Sequence, residues 1–256
     1  MTDRDGALDP EHPAPPAPGL VLTTPGGSSF LFDPGALCLE LLTTGGPGDL
    51  SRFEALHRPS DLTDWLPRSR LRLPAGAVRI TAEQLTDART LRDALWRLAT
   101  ARAHGTTGTV ADHAADHATL NRAAAHPPLV PQIAPDGTAA APLPADGAQL
   151  VSTLARDAIA LLTGPYADRI RECGAHNCRL LFVDTSRPGR RRWCSMERCG
   201  NRNKVRALRA RRDSEDSAAG VVPAAGTAPT AGAVPAAGAV PAAGAVPAAG
   251  HRTFTS

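Results

Sequence analysis

Lysine is almost missing from this chain: Lys204 is the only one among 28 basic residues in 256. With Ala, Gly and Pro abundant, that bias matches a GC-rich coding sequence, so the preference for arginine alone proves little. Aromatic residues are scarce too, at 4 %. Trp193 and Phe182 stand alone in their stretch, without the interleaved aromatic platform on which single-strand readers stack bases. No apolar run approaches the ~20 residues of a membrane span. Residues 1–19 are acidic and Pro-rich with no apolar h-region, which predicts a disordered leader rather than a secretory signal. A cytoplasmic chain follows, one that keeps its thiols reduced. No phosphate-cradling or dinucleotide glycine fingerprint is present, and no Ser, His and acid arrangement marks a nucleophile. The chain is therefore not expected to be an enzyme.

Charge is present but segregated. The chain totals +3, yet residues 169–212 hold 13 Arg and Lys204 against Glu172, Asp184 and Glu197, a net +11. The remaining 14 basic and 22 acidic residues leave −8 elsewhere. One short segment is built to meet an anion; the rest is not.

Periodicity predicts an α+β chain with a mostly helical N-terminal domain and a few short strands. Strands are expected at Leu20–Thr24 and Ser28–Phe32, around a Pro-Gly-Gly turn. Pro34 suits the first position of a helix through "GALCLELL". Cys38 in that run reads as a small buried hydrophobe. Ser60 is a candidate N-cap for "SDLTDWL". Thr81 and Gln84 form a capping-box pattern ahead of Leu85, Ala88, Leu91, Leu95 and Leu98, with Gly105 as the stop. Further helices are expected over Val110–Ala125, with a Pro-Asp-Gly turn at 135–137 after it, and over Gln149–Leu162. His113 and His117 lie one helical turn apart beside Asp112 and Asp116, which reads as a solvated face rather than a metal site. From Val221 to Gly250 a six-residue period, "VVPAAG", "TAPTAG" and three copies of "AVPAAG", forbids propagating helix or sheet and predicts a flexible tail. The domain reading is a 1–19 leader, a 20–165 domain, a 166–213 module and a 214–256 tail.

The cysteines carry the strongest signal. Cys173 and Cys178 form one C-x4-C pair, and Cys194 and Cys199 form another. Structural zinc takes four Cys or His ligands, commonly as two pairs joined by a longer arm. Here the arm is expected to be a hairpin of Arg179–Val183 and Arg190–Trp193 about the turn "DTSRPG", followed by a helix from Asn201 to Arg212. Disulfides need an oxidising compartment, and catalytic zinc needs an open position; four thiolates leave none. His176 inside the first loop reads as an exposed bystander. One structural Zn2+ is expected, and some 45 residues around it need that ion to fold.

The arginines surround this module. On a 3.6-residue wheel Arg202, Arg206 and Arg209 share a stripe, while Val205 and Leu208 sit a quarter-turn away and are expected to pack on the hairpin. Arg187, Arg190, Arg191 and Arg192 decorate the turn, and Lys204 adds to the helix. So many cations with three anions repel one another unless a polyanion is near, so a nucleic acid is the expected partner. Duplex DNA is favoured over RNA, because a helix fits the major groove.

The stretches "CGAHNC" and "LFVDTSRPGRRRWCSMERCGNRNKVR" resemble the CGNR zinc finger family, down to Cys199-Gly200-Asn201-Arg202. "FLFDPGALCLELLTT", "PSDLTDWL" and "LTDARTLRDALWRL" are similar to the recurring stretches of the ABATE domain that precedes this finger. Where the family commonly has His-Arg in the last helix, this chain has Leu208-Arg209. The resemblance implies a stress-induced transcription regulator that binds DNA, nucleoid-associated when bound. Its N-terminal domain would sense an effector or form a homodimer. An RNA-binding or ribosome-associated zinc protein is the alternative.

Overall fold

A computed structural model describes residues 19–24, 26–106, 113–133, 137, 139–140 and 145–219. The leader, most of the Pro-Asp-Gly turn, Val110–Asp112 and the repeat tail lie outside the described residues. Strands β1 (Leu20–Thr23) and β2 (Ser29–Phe32) form an antiparallel hairpin. Helices α1 (Leu37–Leu41) and α2 (Pro59–Trp65) follow. Strand β3 (Val78–Arg79) leads into α3 (Ala82–His104) and then α4 (Ala114–Ala124). After the short strands β4 (Gln132–Ile133), β5 (Ala139–Ala140) and β6 (Ala145–Asp146) comes α5 (Gly147–Thr163). Strands β7 (Ile170–Glu172) and β8 (Leu181–Val183) precede the last helix, α6 (Asn201–Ala219). β4 and β5 pair antiparallel, while β3 and β6 pair in parallel and so align the starts of α3 and α5.

Local chemistry explains the helix ends. Thr81 Oγ1 accepts from the Gln84 amide, and Gln84 returns the bond to the Thr81 amide. Gly105 takes the left-handed conformation at φ 63° and lets Thr106 close on the Ala101 carbonyl. α5 begins earlier than expected because Asp146 and Gln149 make a second reciprocal capping box. Ser60 does not cap α2. Pro59 occupies its first turn, and the Asp61 carboxylate accepts from the His57 and Arg58 amides. Pro34 does not open α1 either: Gly35 at φ 86° turns the chain first, and the helix starts at Leu37. α6 runs past the expected end at Arg212 to Ala219, through residues of fair helix propensity before Gly220.

The main core is where α3 and α5 cross. Leu85, Ala88, Leu91, Leu95 and Leu98 meet Leu150, Val151, Leu154, Ala155 and Ala158, with α1, α2 and α4 packed around them. One buried cation sits at its rim. Arg92 is 1 % exposed and donates to both Glu54 carboxylate oxygens at 2.8 Å. Cys38 is fully buried as expected. Burial, then the negative Asp157, push its thiol well above the ordinary value.

The β7–β8 hairpin joins this core to a second one. Ile170, Leu181 and Val183 point into the helical core, whereas Phe182, on the other face of the pleat, belongs to a cluster with all four paired cysteines. Described residues up to Arg211 form one compact unit; those from Arg212 to Ala219 fall in a second, where the chain is helical.

Candidate metal centre and its basic surface

The first cysteine pair is the turn of a hairpin. β7 ends at Glu172 and β8 begins at Leu181, so Cys173 and Cys178 lie in the loop between. The Cys173 amide closes that loop on the Leu180 carbonyl at 2.9 Å, and the Cys178 amide on Ala175 at 3.0 Å. The return strand expected at Arg190–Trp193 is not formed: β8 pairs with β7 instead. Arg190–Trp193 is held by single bonds, Gly174 N to the Arg192 carbonyl at 2.9 Å and Arg191 N to Asp184 Oδ2 at 2.9 Å. Ile170, not an arginine, supplies the apolar partner that Val183 needs on the core face, and this selects the register.

The second pair sits at a helix start. Cys199 N and Gly200 N both reach the Ser195 carbonyl at 3.1 Å, a widened turn that places Cys199 one residue before Gly200 and α6. At Gly200 a Cβ would come within 2.8 Å of Met196 Sδ, and at Gly174 within 3.3 Å of the Trp193 ring.

All four Sγ atoms are buried and lie within 4.8 Å of one another. Cys178–Cys194 is 3.7 Å and Cys194–Cys199 is 3.5 Å. A tetrahedron with Zn–S bonds of ~2.3 Å has edges of about 3.8 Å. A disulfide needs ~2.05 Å, so this is a ligand set and not a pair of bridges. Main-chain donors turn inward. Cys173 Sγ accepts from the Ala175 amide and, at 3.3 Å, from the Cys194 amide, while Leu180 serves Cys178. Arg202 Nη2 lies 3.6 Å from Cys199 Sγ. Left to themselves the sulfurs would share protons. Cys173, accepting from Cys178 and then Cys194, is held down to about 2, while donation to that thiolate pushes Cys178 up to about 12 and Cys194 higher. A divalent cation removes this conflict and lets all four ionise. The donor set fits one Zn2+ in a closed structural role. His176 is exposed and outside the cluster, as expected, and His113, 3.9 Å from Asp116, belongs to no ligand group among the described residues.

The "DTSR" turn is organised by a buried anion. Asp184, 0 % exposed, accepts from the Ser186 amide and hydroxyl and from the Arg191 amide. Burial alone would raise its carboxyl, but the Ser186 hydroxyl, the two amides and the Arg169 guanidinium hold it below the usual carboxylate range. Arg169 Nη1 also ties the Asp184 and Ser186 carbonyls, passing beneath Gly189, where a Cβ would lie 3.2 Å away. Asp184→Asn leaves donors facing donors and is expected to destabilise the module by about 1–3 kcal/mol in thermal melts at pH 7. A depressed carboxyl contributes fully above its unfolded value near 3.9 and loses that contribution as pH falls through the folded one. The gap between wild type and variant should therefore be complete at neutral pH; equal melting there would show that the turn does not depend on the ion.

The predicted anion contacts divide. Arg187, Arg190, Arg192, Arg202, Lys204, Arg206 and Arg209 are exposed. Arg192 stacks on the Trp193 ring at 5.3 Å. Arg191 is a correction: its guanidinium turns inward, over the Phe182 ring at 4.2 Å, and donates to the Asp33, Trp193 and Cys194 carbonyls. Val205 and Leu208 are also corrections, being 48 % and 51 % exposed rather than packed on the hairpin.

Sequence reasoning missed the N-terminal contribution. Phe30 and Phe32 complete the cysteine core, with Leu22 partly buried against it. The Pro34 carbonyl accepts from Val183 N at 2.8 Å, and Arg198 stacks on Phe30 at 4.6 Å. The signal was the alternation of "SFLF", whose inner face needed a partner that 45 residues could not supply.

A helical domain sharing one compact unit with a four-thiolate metal module defines a zinc-binding protein of two-module type. Residues 35–165, just over half the chain, match the ABATE family, described as "Putative stress-induced transcription regulator", and residues 169–212 match the CGNR zinc finger. The chain belongs to the ABATE family, with a CGNR zinc finger at its C-terminal side. No curated protein matches it. Among the described residues no helix is long and apolar enough to cross a membrane.

Proposed function

We propose that the protein is a DNA-binding transcription regulator whose metal centre presents the exposed face of α6 and the 187–192 turn to duplex DNA. The observation that carries this reading is the placement of cations. Arg202, Arg206 and Arg209 form a solvent-facing stripe on a helix that starts two residues after a candidate metal ligand, and Arg187, Arg190 and Arg192 lie exposed on the turn before it. Arg191 is left out of the contact set. The family descriptions support a regulator. The helical domain is read as a regulatory part that senses an effector or dimerises, not as an active domain. In it Arg92 donates to Glu54, and Asp157 accepts from the Cys38 amide.

Arg206→Ala tests the surface. If Arg206 neutralises a phosphate, its loss weakens binding on all sequences and lowers the slope of log affinity against log salt by about 0.9. An unchanged slope excludes a phosphate contact there. Competition by duplex RNA as effective as by DNA would favour the RNA-binding alternative.

A further inference from the structure

Phosphate contacts leave one feature of α6 unexplained. In a helix this basic, two branched apolar side chains stand in the open: Val205 and Leu208, each about half exposed. They are three residues apart and so lie on neighbouring tracks of one face. On the wheel Val205 is about 40° from Arg209 and about 60° from Arg202, and Leu208 is about 40° from Lys204. The apolar pair is thus bracketed by cations on both sides. The opposite flank of the arginine stripe is Asn203, Ala207 and Ala210. Asn203 there is half-buried, its amide donating to the Cys199 carbonyl at 2.8 Å. Ala207 and Ala210 are exposed, so from Lys204 to Ser214 the helix is open all round and the apolar pair is as available to a partner as the arginines.

The partner of such a face must offer apolar groups between rows of negative charge. A second copy of the helix fails, since the flanking cations would meet their equals. The major groove of duplex DNA meets the requirement. Each thymine there carries a C5-methyl group on the groove floor, between two phosphate rows. We infer that Val205 and Leu208 read thymine methyl groups, so that this finger selects sites with thymine at one or two fixed positions. The inference rests on the DNA-binding reading above and assigns it a sequence preference. Duplex RNA offers neither the methyl group nor a major groove open to a side chain.

The test uses the full-length, zinc-loaded protein. Its preferred duplex is selected from a random pool, and binding is compared at fixed salt with the same duplex carrying deoxyuridine for each thymidine, which removes only the methyl groups. Wild type is expected to lose about fourfold for each methyl it buries. The Val205→Ala, Leu208→Ala double variant is expected to bind the two duplexes more nearly alike, with the wild-type salt slope, because the phosphate contacts remain. A wild type that binds both equally, or selects no sequence, overturns the inference and leaves DNA binding standing. Failure to bind duplex DNA at all, or equal binding of duplex RNA or of anionic vesicles, overturns the DNA-binding reading and the inference with it.

Discussion

Cys178→Ser is expected to lower bound zinc from one equivalent to near none and to unfold the module from Cys173 to Gly200. Four of the eight buried members of the second core are the cysteines themselves. They make no covalent bond to one another, so without the ion only a few main-chain hydrogen bonds and their apolar packing hold them together. A structural zinc in a small module contributes roughly 10–16 kcal/mol at neutral pH, more than a typical domain's net stability. Serine offers a hydroxyl that does not ionise at neutral pH, and three thiolates around an open position no longer shield the ion. Trp193, partly buried against this cluster, reports the collapse by its fluorescence. The helical core should survive, because Leu85 through Leu98 and Leu150 through Ala158 pack on one another. Most far-UV helical signal should therefore remain while metal and the Trp193 signal are lost. One equivalent of zinc retained by the variant would overturn the four-ligand site.

The contrast between what sequence patterns reveal and what they hide has a physical cause. The capping box at Thr81 and the paired cysteines are legible because each is a local device, closed within a few residues by side chains of diagnostic chemistry. The α3 stripe is legible because a single helix presents its apolar residues at one period. Strand partners are not local. Whether Leu181–Val183 pairs with Ile170–Glu172 or with Arg190–Trp193 depends on which neighbour completes the core face, and Ile170 decides it. The pattern also cannot tell an apolar pair that is buried from one left exposed at the same spacing, which is why Val205 and Leu208 read as core. Arg191 differs from Arg190 and Arg192 only in its register over Phe182 and Asp184. No composition argument separates three adjacent arginines; geometry does.

Phe32→Ala is expected to loosen the metal although Phe32 stands more than a hundred residues before Cys173, the first cysteine of the metal centre. Its side chain is 0 % exposed and packs in the cluster that holds all four sulfurs. Truncating a buried Phe costs about 3–5 kcal/mol, on the order of a thousandfold in a local opening equilibrium. Zinc leaves through that opening, so transfer to a competing chelator should accelerate by up to a similar factor. Phe32→Leu keeps most of the volume and should fall in between. The same seam explains Gly35. At φ 86° it brings the chain against Val183, where a Cβ would sit 3.0 Å from the Val183 Cβ. The Pro34 carbonyl beside it takes the Val183 amide. β1 and β2 lie before the first residue matched by the helical family domain, yet they wall the metal module. If zinc transfer from Phe32→Ala matches wild type, the hairpin only covers the module, and β7, β8 and the metal alone must hold the four sulfurs in place.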